Sequence, residues 1–141
     1  MSRALALDIG TRRIGVAVSD SGGTVATPYE VVHRSGDRAS DHRRIAALVD
    51  EAGAEVVVVG MPLSLDGSVG PAAQAVFDEI DQLRATVGAE VVTWDERLST
   101  VQAERSLRAG GVRKGKRRGV VDQVAATVIL QSWLDAGQPR G

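Results

Sequence analysis

LDIGTRRIGVAVSD, residues 7–20, joins two apolar segments through a Gly10-Thr11 turn and places a carboxylate, Asp8, directly after Ala4, Leu5, Ala6 and Leu7. A charge at the end of a buried strand is costly unless it is paired or binds a metal. Asp8 therefore calls for an explanation. The pattern predicts strands over residues 3–9 and 13–20, and a third over 24–32 after the turn Ser21-Gly22-Gly23. Three short strands joined by tight turns make an antiparallel meander. Pro28, which lacks an N–H, assigns the third strand to an edge.

Downstream, the residues alternate between helix and strand signals. Asp37 to Ala52 carries Ile45, Leu48 and Val49 at helical spacing, and Gly53 follows as a stop. AEVVVVG, residues 54–60, is an unbroken β-branched run, as expected of a strand covered on both faces. The loop from Met61 to Gly70 contains an Asp66-Gly67 turn, and its composition demands no more than a turn. Pro71 suits the first turn of a helix that runs to about Val87 and buries Val76, Ile80, Leu83 and Val87. A short strand, Glu90 to Trp94, follows. Ser99 with Gln102 reads as a capping box for a further helix closed by Gly110-Gly111. The basic loop Val112 to Gly119 then leads into a last helix from about Val120 to Ala136. The expected fold is α/β: a mixed sheet of five strands, three antiparallel first and then parallel additions, with helices on both faces.

A chain of 141 residues fits one domain, 1–141, and its 43% apolar and 25% charged content is that of a globular protein. No apolar run approaches a membrane span and no leader pattern opens the chain, so a cytosolic protein without a membrane partner is expected. The absence of cysteine excludes disulfides, thiolate nucleophiles and Cys-ligated zinc. Any metal must sit on oxygen or on the two histidines. His33 and His42 lack metal-like spacing and are placed on a strand end and a helix surface.

Three acids attract attention by position. Asp8 ends the first strand on the face of Ala4 and Ala6, Glu96 follows the short strand in WDERLST, and Asp122 opens a helix with Ala125, Ala126, Ile129 and Trp133 on the same stripe. Small residues beside an acid let helix and sheet approach, so the three carboxylates could meet at one corner. Such a set suits hard divalent cations, Mg²⁺ or Mn²⁺, which prefer oxygen. From spacing alone Glu96 could equally cap or pair with Arg97 or Arg12, and Asp122 could sit in a first helical turn for its dipole. Asp95 is the alternative ligand beside Glu96.

Charge is segregated. From Arg97 to Arg118 there are eight Lys or Arg against one acid, Glu104, although the whole chain carries a net charge of −1. Arg97, Arg113, Lys114, Lys116, Arg117 and Arg118 are the candidate phosphate contacts. The basic segment has no aromatic residue, so structured nucleic acid recognised by shape fits better than a base-stacking platform.

LDIGTRRIGVAVSD, then VVVVGMPLSLDGS, WDERLSTVQAERSL and VDQVAATVILQSWLD, taken together from Arg3 to Asp135, resemble the YqgF/RuvX family of the RNase H-like, Holliday-junction-resolvase-like superfamily. The resemblance implies an RNase H-like fold with Asp8, Glu96 and Asp122 as catalytic and metal-binding positions. It also implies metal-dependent phosphodiester cleavage in 5′-end maturation of pre-16S rRNA, within a pre-ribosomal particle or on the RNA itself. Junction resolvases of similar layout carry an acid near the end of the strand equivalent to Val56–Val59 and a second acid one helical turn from the last one. Here those places hold Gly60-Met61-Pro62 and Ala125-Ala126. Resolution of branched DNA is thus the alternative, together with a non-catalytic ribosome-assembly factor. A junction resolvase needs two sites and so a dimer, whereas an RNA-end nuclease does not; a monomer or weak homodimer is expected. An actin-like ATPase shares the Asp-X-Gly-Thr turn, but two such domains usually enclose a nucleotide and this chain supplies one.

Overall fold

The structure, a computed structural model, describes residues 3–99 and 118–140, and of residues 118–123 the backbone alone. One sheet is built from β1 (Arg3–Ile9), β2 (Arg13–Ser19), β3 (Ala26–His33), β4 (Ala54–Met61) and β5 (Glu90–Asp95), in the order β3-β2-β1-β4-β5. The first three strands are the expected antiparallel meander, with Asp8 opposite Gly15 and Arg13 opposite His33. Pro28 lies in the edge strand β3. β4 joins β1 in parallel with Leu7 beside Val59, and β5 joins β4 in parallel with Gly60 beside Trp94.

Each helix is delimited by the residues that flank it. α1 (Arg38–Ala52) begins at Asp37, whose carboxylate accepts from the N–H groups of Ala39 and Ser40, and ends at Gly53 in the left-handed region, φ 66°. The cap is worth about 1 kcal/mol, and glycine takes the left-handed conformation without the Cβ penalty. α2 (Pro71–Arg84) has proline at its first turn. α3 (Arg118–Asp135) closes the chain. A single 3₁₀ turn, Glu96–Leu98, follows β5.

The strand period of two sorts the core into two layers. Leu5, Leu7, Val57 and Val59 meet Ile45, Leu48 and Val49 of α1 and Ala73, Val76, Ile80 and Leu83 of α2. On the other face Ala4, Ala6, Val56 and Val58 meet Ala125, Ala126, Ile129, Leu130 and Trp133 of α3. The valines of β4 are thus covered on both sides, which is why that strand shows no polar alternation. Each fully buried aliphatic side chain contributes roughly 1.5–3 kcal/mol, and the alanines of the second layer let α3 lie close to the sheet.

Two expectations are corrected. α2 ends at Arg84 rather than Val87; the N–H groups of Thr86 and Val87 both turn back onto the Leu83 carbonyl, and Val87 remains in the core without being helical. His42 is not on a helix surface but buried, with Nε2 2.8 Å from Oε2 of Glu79. Of the helix expected from Ser99 to Gly110 only Ser99 is described; the remainder with Gln102, and Arg113, Lys114, Lys116 and Arg117, lie outside the described residues. Among the described residues no helix is long and apolar enough to cross a membrane.

Candidate active site

Asp8 is 4% exposed and Glu96 1% exposed, the latter among the most fully buried side chains of the protein. Both stand at carboxyl ends of parallel strands, where sites form in open α/β sheets. Asp8 continues the Ala4, Ala6 row and so shares the α3 face. One step beyond the Leu7–Val59 pair lie Asp8 and Gly60, and Gly60 is itself paired with Trp94, two residues before Glu96. Gly60 therefore occupies the middle of the row, with one acid on each side.

The missing side chain at Gly60 is what makes room for Glu96. A Cβ built on Gly60 would fall 2.5 Å from Cδ1 of Ile129, 3.0 Å from Oε1 of Glu96 and 3.2 Å from its Cγ. Helix α3 thus closes on β4 through Ile129, and the Glu96 carboxylate lies over the bare end of the strand. An acid could not stand at position 60 without displacing both.

The turn that presents Glu96 is fastened on both sides. Asp95 caps it by accepting from the Arg97 backbone N–H at 2.9 Å, and its carboxylate also receives the Arg97 guanidinium, Nη2 to Oδ2 at 2.6 Å. Hydrogen bonds from Arg97 hold Asp95 below the usual carboxylate range, and Asp95 in turn raises Arg97. Nη1 of Arg97 reaches the Leu65 carbonyl at 3.3 Å, linking β5 to the loop after β4. Behind the turn, Ser99 donates to the Glu96 carbonyl through both its N–H and its hydroxyl. The Asp95 carboxylate is thus engaged by Arg97 at both oxygens.

Of the remaining expected residues, Asp122 occupies a backbone position in α3 seven residues before Ile129, with its side chain outside the described residues. The Arg118 backbone opens α3 and its side chain is likewise outside them. Among the described residues no group of three or more His, Cys, Asp and Glu stands together as a metal cage; two of the three expected acids fall within that set. Thr11 and Arg12 are exposed at the tip of the β1–β2 turn. The role of Gly60 was not legible from the sequence, where a glycine that stops a strand and one that clears space look alike.

The chain has close relatives. A family model described as RuvX, Holliday junction resolvase, matches residues 2–136. A protein of Desulforudis audaxviator is 44% identical over 134 residues, covering 95% of this chain and 94% of its own length. One from Mycolicibacterium paratuberculosis is 52% identical over 135 residues, covering 94% and 80%. Each is named, provisionally, a pre-16S rRNA nuclease. Among solved structures, T. thermophilus RuvC in complex with a Holliday junction substrate superposes with a TM-score of 0.59 at 14% identity, over 99% of both chains. That likeness is one of fold and bears out the RNase H-like architecture.

Proposed function

Because the chain belongs to the RuvX family, we propose that it is a single-domain, metal-dependent nuclease that hydrolyses phosphodiester bonds in structured RNA, at the 5′ end of pre-16S rRNA. The observation that carries this reading is the pair of buried carboxylates, Asp8 and Glu96, on either side of Gly60 at the strand ends. Asp122 is the third member of the proposed set.

The donor chemistry fits a hard divalent cation. The three acids offer only oxygen, the chain has no cysteine, and His42 is taken by Glu79. Asp8, Glu96 and Asp122 would hold Mg²⁺ or Mn²⁺, which when bound acidifies a water and offsets charge that builds on the reacting phosphate. The chain's own contribution is to bring acids together that repel one another when no cation is bound, and to fix them against rotation. Gly60 gives Glu96 its place, Ser99 and the Asp95–Arg97 pair hold its turn, and Ile129 of α3 packs against the same bare strand end. Arg113, Lys114, Lys116, Arg117 and Arg118 bind phosphates and set the position of the strand without reading its sequence. Arg97, engaged by Asp95, adds positive charge beside the turn that carries Glu96.

Cleavage assays on an RNA carrying the 5′ extension of pre-16S rRNA and on a four-way DNA junction, with Mg²⁺, Mn²⁺ or chelator, test the proposal. Metal-dependent cutting of the RNA is expected. Cutting of the junction alone would make branched DNA the substrate, and binding of RNA without cutting under any condition would make the protein an assembly factor.

A further inference from the structure

On the face of the sheet opposite Asp8, a second polar cluster lines a cleft of about 430 Å³ bounded by Gly10, Thr11, Arg34, Arg38, Pro62 and Glu79. Arg34, just past β3, grips the β1–β2 turn twice. Its backbone N–H donates to the Arg12 carbonyl at 2.9 Å, and its Nε donates to the Gly10 carbonyl, also at 2.9 Å. The rest of its guanidinium is pinned by Glu79 of α2, with Nη1 and Nη2 at 2.9 and 2.8 Å from the two carboxylate oxygens. Glu79 is bonded in turn to His42 of α1 at 2.8 Å and approached by Arg38 at 3.9 Å. The side chains of His42 and Glu79 are 2% and 3% exposed. Three separate pieces of chain, the segment after β3, α2 and α1, are thus linked behind one turn that begins two residues past Asp8.

Stability alone is a weak reason for such a cluster. Desolvation of a buried ion pair offsets most of its attraction, and apolar residues of similar volume often stabilise as well or better. Apolar residues cannot aim a donor, however. The guanidinium is a rigid planar fork, so once two of its N–H groups are fixed on Glu79 the Nε–H points in a single direction, at Gly10. Gly10 has little freedom left: its N–H bonds to the Arg13 carbonyl at 2.9 Å, and a Cβ there would lie 2.6 Å from that oxygen.

We infer that Arg34 and Glu79 are positioning residues, which fix the β1–β2 turn from the far side of the sheet and through it the Asp8 carboxylate, with His42 orienting Glu79. The inference rests on the nuclease reading for its kinetic consequence only. Removing the fork should leave the fold in place and loosen the turn.

The test compares wild type with Arg34→Met, Arg34→Lys and Glu79→Gln by circular dichroism, by amide hydrogen exchange at Gly10 and Thr11, by calorimetric Mn²⁺ titration and by single-turnover cleavage of the RNA. Arg34→Met is expected to retain the native spectrum, exchange faster at Gly10, bind Mn²⁺ about tenfold more weakly and lose roughly ten- to a hundredfold in kcat with KM little changed, the usual scale for groups that orient a ligand from behind. Arg34→Lys should fail to rescue, because an ammonium lacks the fork; it also carries the comparison if Arg34→Met does not fold. Exchange and Mn²⁺ affinity equal to wild type in a folded Arg34 variant would overturn the inference. If the wild type cuts no nucleic acid, the nuclease reading falls, while exchange at Gly10 still decides whether Arg34 and Glu79 fix the turn.

Discussion

The carboxylate of Glu96 lies over Gly60, with Oε1 3.0 Å from where a Cβ would stand and Cδ1 of Ile129 2.5 Å from the same point. A single methyl at this position must push on both. Gly60→Ala is therefore expected to destabilise the protein by about 1–3 kcal/mol through overpacking and to lower cleavage by displacing Glu96. Pairing it with Ile129→Val should recover part of the melting temperature and little of the activity. Full recovery of cleavage in the double variant would show that Glu96 does not need this place.

The Asp95–Arg97 pair bridges the end of β5 and the loop after β4. Arg97 is exposed and Asp95 half-buried, and asparagine keeps the cap on the Arg97 N–H, so Asp95→Asn should lower the melting temperature only slightly. It should nonetheless weaken cleavage, because the charged clamp that holds Arg97 against the turn bearing Glu96 is lost. The check is a KM-against-kcat split: loss in kcat marks a positioning role for Asp95, whereas loss confined to KM would mark Arg97 as a phosphate contact whose setting had changed.

The basic segment makes a separable prediction. Arg117→Ala combined with Arg118→Ala should weaken binding of RNAs of unrelated sequence to a similar extent and reduce the slope of log affinity against log salt by about 1 for each phosphate no longer neutralised. Equilibrium binding in chelator at several salt concentrations reads this without cleavage. Unchanged affinity and slope would make those side chains a solvated face only.

The cluster behind the turn has an acid signature. Burial pushes Glu79 up, but hydrogen bonds from Arg34 and His42 and the nearby charges of Arg34 and Arg38 outweigh it and hold the carboxyl below its ordinary range. A carboxyl depressed in the native state binds fewer protons than the unfolded chain does. Its stabilisation is complete above the unfolded value, about 4.3, and is lost as pH falls through the lower folded value. Denaturation midpoints measured from pH 7 to pH 3 should fall less steeply for Glu79→Gln than for wild type. Parallel curves would contradict the linkage.

How far the sequence reveals this protein depends on the range of each interaction. The Asp37 and Gly53 boundaries of α1, the proline at the start of α2 and the valine run of β4 are local signals, and the structure follows them closely. The helical period also held information that polarity concealed: His42 shares its stripe with Ile45 and Val49, and Glu79 stands on that of Val76, Ile80 and Leu83, yet both are buried because they meet each other across two helices. Val87 shows the converse, continuing an apolar spacing past the end of its helix. Arg34 and Glu79 are 45 residues apart, a separation at which no local pattern reports a contact. Asp8 and Glu96 were legible as candidates by strand position, but the space that Gly60 opens between them exists only once β4 lies between β1 and β5.

That Asp8, Glu96 and Asp122 form one metal-dependent cleaving centre is open to a direct test: the single-turnover rate of RNA cleavage in Mg²⁺ by wild type and by Asp8→Asn, Glu96→Gln and Asp122→Asn, each first shown to fold. All three variants should lose cleavage while keeping the native fold. Near wild-type cleavage by any folded member of the three would contradict a shared centre.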